Sequence, residues 1–111
     1  MKKVLVGNRI IGDGYPTLIV AEAGVNHNGN LGLAKKLIDA AAIAGVDAVK
    51  FQTFNPDTLV TENAAKAEYQ VKNEVKPDES QYAMLKRLML PRAWHRELKE
   101  YAEKKGLIFL S

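Results

Sequence analysis

Residues 17–52, TLIVAEAGVNHNGNLGLAKKLIDAAAIAGVDAVKFQ, decide the fold, because one apolar run opens this stretch and another closes it. The opening run, 17–21, is unbroken and contains β-branched residues, which is typical of a strand buried on both faces of a sheet. The closing run begins at Ala48 and ends at Gln52. We therefore expect two strands whose starts are separated by roughly 30 residues, the spacing of a βαβ unit.

The residues between these runs predict an α-helix over 30–44. Asn30 (or Asn28) can cap its first turn, and Gly45 can take the left-handed conformation just past its end. We expect one stripe of the helix to face the core, while lysines lie on the opposite side. The stripe comprises Leu33, Leu37, Ala41 and Ala44, with Ala34 and Ile38 beside it. Strand, helix and strand in this order predict two parallel strands.

Upstream of this unit, residues 4–12 (VLVGNRIIG) contain two short β-prone runs on either side of Gly7 and Asn8. A Gly-Asn pair favours a tight hairpin turn, because both residues accept positive φ. We therefore predict a β-hairpin within residues 1–16.

Downstream, residues 53–80 are polar and predict a long loop with a short helix at 64–71. Helices are predicted at 81–90 and at 92–105, where Pro91 suits the start of the second one. A third buried strand is predicted at 107–110.

Composition excludes several classes of protein. The 111 residues include no cysteine, which excludes a disulfide framework, a thiolate metal site and a cysteine nucleophile, and is compatible with a cytoplasmic location. No apolar run approaches the roughly 18 residues that would span a bilayer. The net charge is +3, but the two signs alternate along the chain. Nucleic-acid binders concentrate basic residues instead, so we expect neither a nucleic-acid nor a membrane partner.

Candidate functional residues follow from the topology, since parallel β/α folds carry them where strands lead into helices. The first strand leads into Glu22 and a polar loop that contains Asn26. A carboxylate directly after four apolar residues is partly desolvated and suits proton transfer or water activation. The alternative is a structural glutamate that pairs with Lys50.

Lys50 and Gln52 alternate with Val49 and Phe51, so the polar pair projects from one face of the second strand. A lysine inside a buried strand is unfavourable unless it meets an anion. That anion is either Glu22 or a phosphate or carboxylate of a substrate. Gln52 can donate and accept hydrogen bonds, which suits a hydroxylated ligand.

The two histidines predict less. His27 could be a base or a metal ligand, but a histidine in such a loop more often ties it together by hydrogen bonds. His95 lies beside Trp94 on a charged helix and is predicted to be a surface residue. With no other histidine and no cysteine, we expect no histidine-rich metal site within this chain.

The chain closes on an apolar third strand and Ser111, although parallel sheets are normally covered and their edges protected. Ordering the chain costs on the order of 100–200 kcal/mol of conformational entropy, and an incomplete core offsets less of that cost than a complete one. We therefore expect the front part of a larger α/β protein, with residues 1–111 forming one unit.

Five stretches, in order, resemble the sialic acid synthase family, that is, N-acetylneuraminate synthases and their bacterial relatives. The most specific are IVAEAGVNHNG at 19–29 and VKFQT at 49–53. The others are AEYQ at 67–70, YAMLK at 82–86 and GLIFLS at 106–111. The resemblance covers essentially the whole chain.

The resemblance implies a (β/α)8 TIM barrel with a hairpin plug, of which residues 17–111 would supply the first three strands. It implies condensation of phosphoenolpyruvate with an N-acylated amino sugar such as N-acetylmannosamine, giving a nine-carbon 2-keto acid and phosphate. Glu22 then handles water or a proton and Lys50 contacts phosphoenolpyruvate. Gln52 and Asn26 lie at the substrates, and Ser111 helps to hold the phosphate.

The resemblance also implies partners and residues beyond this chain. A divalent metal, typically Mn²⁺, activates the sugar aldehyde in the family, and its two histidine ligands come from later strands. A homodimer is implied too, in which a small C-terminal domain reaches the partner's active site. A whole barrel needs about 250 residues, so we expect this polypeptide alone to be inactive.

Two other interpretations stay open at this point. One is another lyase or aldolase barrel in which Lys50 forms a Schiff base. The other is a non-catalytic α/β module that binds or assembles.

Overall fold

The computed structural model describes residues 2–59 and 80–111. These residues form a two-stranded hairpin, a three-stranded parallel sheet and helices that pack on one face of that sheet. The strands are β1 (Val4–Val6), β2 (Arg9–Ile11), β3 (Val20–Gly24), β4 (Ala48–Phe51) and β5 (Ile108–Leu110). The helices are α1 (Leu31–Ala44), α2 (Pro56–Leu59), α3 (Gln81–Leu88) and α4 (His95–Lys104), and a 3₁₀ turn (Arg92–Trp94) precedes α4. The predicted helix at 64–71 and the stretch at 67–70 lie outside the described residues.

The predicted hairpin is confirmed, with a correction at its turn. β1 and β2 are antiparallel, and Val4 faces Ile11 across the ladder. Gly7 has φ +57°, but Asn8 does not take a positive φ. A type I′ turn needs both, whereas a type II′ turn needs positive φ only at its first central residue. The glycine alone therefore meets the conformational demand of this turn.

The predicted parallel strands are also confirmed. The sheet order is β3-β4-β5, and β4 pairs in parallel with both neighbours. In this register Glu22 lies opposite Lys50, and Lys50 lies opposite Leu110. The carboxyl ends of the three strands consequently meet at one edge of the sheet.

The first strand of the sheet begins later than predicted and is less buried. It starts at Val20, and Ile19 and Val20 are 50% and 40% exposed. The backbone N–H of Ile19 donates to the Asp47 carboxylate at 2.8 Å, and its carbonyl accepts from Asp47 and Ala48. Asp47 also pairs with Arg9 of the hairpin. The Asp47 carboxylate therefore holds the chain at Ile19, and regular pairing with β4 begins only at Val20.

Helix α1 has the predicted ends but a rotated core face. The Asn30 side chain accepts from Leu33 N–H at 2.9 Å, and Gly45 takes φ +77°. The buried line is Ala34, Ile38 and Ala41, whereas Leu33 is 38% exposed. The small alanine side chains on this line let the helix lie close to the sheet.

The core lies between the sheet and helices α1 and α4. Its buried members include Ala23, Ile38, Val49, Phe51, Leu90, Leu98, Ala102 and Leu107. Phe51 stacks on Phe109 with ring centroids 5.8 Å apart. Tyr101 of α4 donates a hydrogen bond to Asp39 of α1 at 2.7 Å. Because Val49 and Phe51 face this core, Lys50 between them projects from the opposite face.

Candidate functional site

Glu22 and Lys50 form the centre of the site on the face of the sheet opposite the helices. The parallel register sets them side by side, and Lys50 Nζ lies 3.5 Å from Glu22 Oε2. Each side chain is half exposed. The expectation of a lysine enclosed by a buried strand is therefore corrected: Lys50 keeps an open side, because no helix covers this face among the residues described. The Lys50 ammonium group has three hydrogens to donate, and the Glu22 carboxylate oxygen accepts at most one of them. The ammonium group can therefore also bind an anion that approaches from outside.

Gly24 is the point at which the other predicted residues converge. A Cβ atom placed on Gly24 would lie 3.5 Å from Glu22 Oε1, 3.7 Å from Gln52 Nε2 and 4.0 Å from Asn26 Nδ2. The ladder shifts register between Glu22 and Gly24, where Gly24 takes φ +56°. A β-bulge of this kind is common beside active sites. Four candidates, Glu22, Asn26, Lys50 and Gln52, thus line one polar surface.

The loop after β3 is built around a buried histidine. His27 is fully buried, its Nδ1 accepts from Gly29 N–H at 2.9 Å, and its carbonyl accepts from Asn30 N–H. Its ring lies 6.1 Å from the Phe51 ring. The prediction that His27 ties the loop together is confirmed. Asn26 is held in the same loop, because its side chain donates to the Ala23 carbonyl at 3.0 Å.

This burial predicts that the fold loses stability in acid. Desolvation lowers the pKa of His27 below the ordinary value of 6.5, so the unfolded chain takes up a proton before the folded one does. The free energy of unfolding should therefore fall as the pH drops below 6.5. Urea titrations of the full-length protein over that range check this. The variant His27→Asn keeps an acceptor near Nδ1 but cannot titrate, so its decline should be shallower; an equal slope would contradict the prediction.

A second polar cluster lies at the end of β4 and β5. Thr53 Oγ1 lies 2.8 Å from His95 Nε2 and is also hydrogen-bonded to Ser111 Oγ. Together with Arg92 these residues line an open cavity of about 450 Å³. The prediction that His95 is a surface residue holds only in part: it lines the open cavity, but its ring packs edge-on against Phe109, and helix α4 starts with it at the carboxyl end of the sheet. Ser111 lies in this cluster rather than beside Gly24.

A larger cavity of about 520 Å³ adjoins this cluster through Thr53 and Arg92. It lies between α2, α3 and the segment that joins β4 to α2, and sequence reasoning missed it. Its polar side chains come from Asn55, Asp57, Tyr82 and Lys86. Tyr82 donates a hydrogen bond to Asp57. Of these residues, Asn55 could have been identified from the sequence, because an Asn-Pro pair favours the start of a turn. In the structure the Asn55 side chain caps α2.

Metal-binding side chains do not cluster in the part of the chain that the structure describes. Within 2–59 and 80–111, no group of three or more His, Cys, Asp or Glu side chains could hold a metal ion. In the same ranges no helix is long and apolar enough to cross a membrane.

Comparison with known proteins places these residues in a family. The family model described as the NeuB family matches residues 37–111. N,N'-diacetyllegionaminic acid synthase of Legionella pneumophila is 52% identical over 100 residues, which are 90% of this chain and 28% of that protein. The synthase of the same name from Campylobacter jejuni is 52% identical over 95 residues, 86% of this chain and 28% of its own. The chain thus spans 28% of the length of these relatives.

A solved structure gives the same result for the fold. The crystal structure of N-acetylneuraminic acid (sialic acid) synthetase from Leptospira borgpetersenii in complex with citrate superposes with a TM-score of 0.72 at 31% identity. The match covers 98% of this chain and 33% of that one. The α/β arrangement described above therefore resembles part of a sialic acid synthase.

Proposed function

Because this chain belongs to the NeuB family, we propose that it forms part of an enzyme that joins phosphoenolpyruvate to an N-acylated amino sugar. The product is a sialic acid-type nonulosonate, and phosphate is released. The observation that carries the proposal is the convergence of Glu22, Asn26, Lys50 and Gln52 around Gly24 on the uncovered face of the sheet.

Lys50 binds the anionic reactant in this proposal. Its side chain is half exposed and its ammonium nitrogen lies 3.5 Å from one carboxylate oxygen, so the carboxylate or phosphate of phosphoenolpyruvate can approach it from the open side. Gln52 offers a donor and an acceptor to the hydroxyl and amide groups of the sugar. Ser111, at the end of the neighbouring strand, contacts the phosphate.

Glu22 moves the proton. The methylene carbon of phosphoenolpyruvate forms the new bond with the aldehyde carbon, and the aldehyde oxygen takes up a proton to become a hydroxyl. Water adds to the enol carbon, and the bond from this carbon to the phosphate oxygen then breaks, which leaves a keto group and frees phosphate. The water must lose a proton as it adds, and a carboxylate within reach of the substrates can accept it. Pairing with Lys50 orients Glu22 and brings base and anion site together.

Several parts of the proposal extend beyond these residues. The rest of a TIM barrel, a partner subunit and a divalent metal, Mn²⁺, would complete the enzyme, which would work in the cytoplasm. The described residues offer this metal no ligand set, and the roles of Glu22, Lys50 and Gln52 do not depend on it. Residues 1–111 alone would then be inactive.

The role of Lys50 predicts a specific kinetic defect. In the full-length protein, Lys50→Met should raise the KM for phosphoenolpyruvate by about 10–100-fold, because hydrogen bonds to charged groups contribute roughly 1.5–3 kcal/mol. The KM for the amino sugar should change much less. Steady-state assays of released phosphate give both values.

The matched control is Lys36→Met, which removes an exposed lysine of helix α1. It should leave both KM values unchanged. Borohydride added with a keto substrate should trap no adduct on Lys50; a covalent adduct would favour Schiff-base chemistry instead. An unchanged KM for phosphoenolpyruvate in Lys50→Met would remove the anion-binding role.

A further inference from the structure

Three side chains connect helix α4 to the open cavity at the end of the sheet. His95 Nε2 lies 2.8 Å from Thr53 Oγ1, and the same oxygen is hydrogen-bonded to Ser111 Oγ. Parallel pairing of β4 with β5 brings the hydroxyl groups together, since each follows the end of its strand. The result is an unbroken path from the imidazole to the cavity that Arg92 also lines.

The second ring nitrogen of His95 fixes the direction of these hydrogen bonds. Nδ1 lies 3.2 Å from the Arg92 carbonyl oxygen, which can only accept, so Nδ1 carries a hydrogen. In the neutral ring Nε2 then has none and accepts from the Thr53 hydroxyl. Thr53 Oγ1 in turn accepts from Ser111. The single hydroxyl hydrogen of Ser111 therefore points inward, and only its lone pairs face the cavity.

Protonation of His95 reverses the chain. Both ring nitrogens of an imidazolium carry hydrogens, so Nε2 donates to Thr53 Oγ1. The Thr53 hydroxyl then donates to Ser111 Oγ. The Ser111 hydroxyl, no longer donating to Thr53, can turn so that its hydrogen points into the cavity. A group that could only accept becomes a donor, which is what the oxygens of a phosphate require.

We propose that His95 is a positioning residue that couples its own protonation to the binding of a phosphate-bearing substrate at Ser111. The inference rests on the proposed function, because phosphoenolpyruvate is the ligand concerned. One proton taken up at His95 both adds positive charge near the anion and turns the Ser111 hydroxyl to donate to it. His95 acts through Thr53.

The other charged groups around His95 carry the same charge with either form of its imidazole. Arg92 is the charged residue that shares the cavity among the residues the structure describes, and it is a cation with either form of the imidazole. Phe109 of β5 covers one edge of the ring. The charged residues within one turn of His95 on α4 itself are exposed: Arg96, Glu97 and Lys99. Arg92 thus supplies a constant attraction, and His95 supplies the part that changes with pH.

The test is calorimetric binding of phosphoenolpyruvate to the full-length protein in two buffers of different ionisation enthalpy, between about pH 6 and pH 8. The wild type should take up a proton when it binds phosphoenolpyruvate. With one linked proton, the affinity for phosphoenolpyruvate falls by at most about ten-fold for each unit by which the pH rises. His95→Gln should lose this uptake. Thr53→Val frees the Ser111 hydroxyl to donate at either protonation state, so the uptake should shrink to the part that comes from the charge of the imidazolium alone, with little change in affinity.

Two controls and two contrary results complete the design. Thr53→Ser keeps the hydroxyl and should keep the uptake, as should Lys99→Gln, which removes an exposed cation from the same helix. Equal proton uptake by the wild type and His95→Gln would overturn the relay and leave the proposed function intact. No binding of phosphoenolpyruvate by any of these proteins would overturn the proposed function and the relay together.

Discussion

Replacing Glu22 by Gln should lower kcat by about 10²–10⁴-fold in the full-length protein, the usual contribution of a general acid or base. The amide keeps the size of the side chain and a hydrogen-bond acceptor for Lys50, but it cannot take a proton from water. Since Lys50 remains in place, the KM for phosphoenolpyruvate should change much less than kcat. Assays of phosphate release under saturating substrates measure the effect.

The control for this substitution is Glu97→Gln. Glu97 pairs with Lys35 at 2.9 Å on the helical side, away from the site, and its loss should leave kcat unchanged. Retention of kcat within a few-fold in Glu22→Gln would show that Glu22 is a structural partner of Lys50, the alternative that the sequence left open.

Gly29→Ala should destabilise the protein by about 3 kcal/mol or more, because two penalties combine there. Gly29 takes φ +70°, which L-residues rarely adopt, and a Cβ atom would lie 2.5 Å from the Arg87 carbonyl oxygen. That oxygen belongs to the backbone of α3 and cannot move without moving the helix. Urea unfolding followed by circular dichroism gives the change in free energy.

Gly45→Ala separates the two penalties. Gly45 has φ +77°, yet nothing lies within 4 Å of its added Cβ, so this variant should cost only the about 1–2 kcal/mol of left-handed strain. A Gly29→Ala variant no less stable than Gly45→Ala would mean that the loop and α3 separate easily, contrary to the close approach seen here.

The sequence predicted the fold well where local signals agree with tertiary ones. The caps at Asn30 and Gly45 placed α1, and strand–helix–strand spacing placed two parallel strands. The prediction was wrong where a group distant in the sequence determines the end of an element. The start of β3 was set too early, because the Asp47 carboxylate holds the N–H of Ile19 and delays its entry into the ladder.

The candidate site shows the same division. The rule that parallel strands carry function at their carboxyl ends selected Glu22, Lys50 and Gln52, and the register brings them together. It could not select His95, since only packing against Phe109 turns that side chain toward the sheet. Nor could it show that Lys50 is half exposed, because exposure depends on what covers the far face of the sheet.

The bulge between Glu22 and Gly24 separates two tasks within one short segment. Below it, regular pairing with β4 fixes the spacing of Glu22 and Lys50, the proposed proton-transfer and anion-binding groups. Above it, the backbone leaves the ladder, and Asn26 is placed by hydrogen bonds within its own loop. Amino-acid changes in that loop would therefore reposition Asn26 while Glu22 and Lys50 stay in register. If the proposed function holds, preference for one amino sugar over another could diverge through the loop while the proposed roles of Glu22 and Lys50 are inherited unchanged.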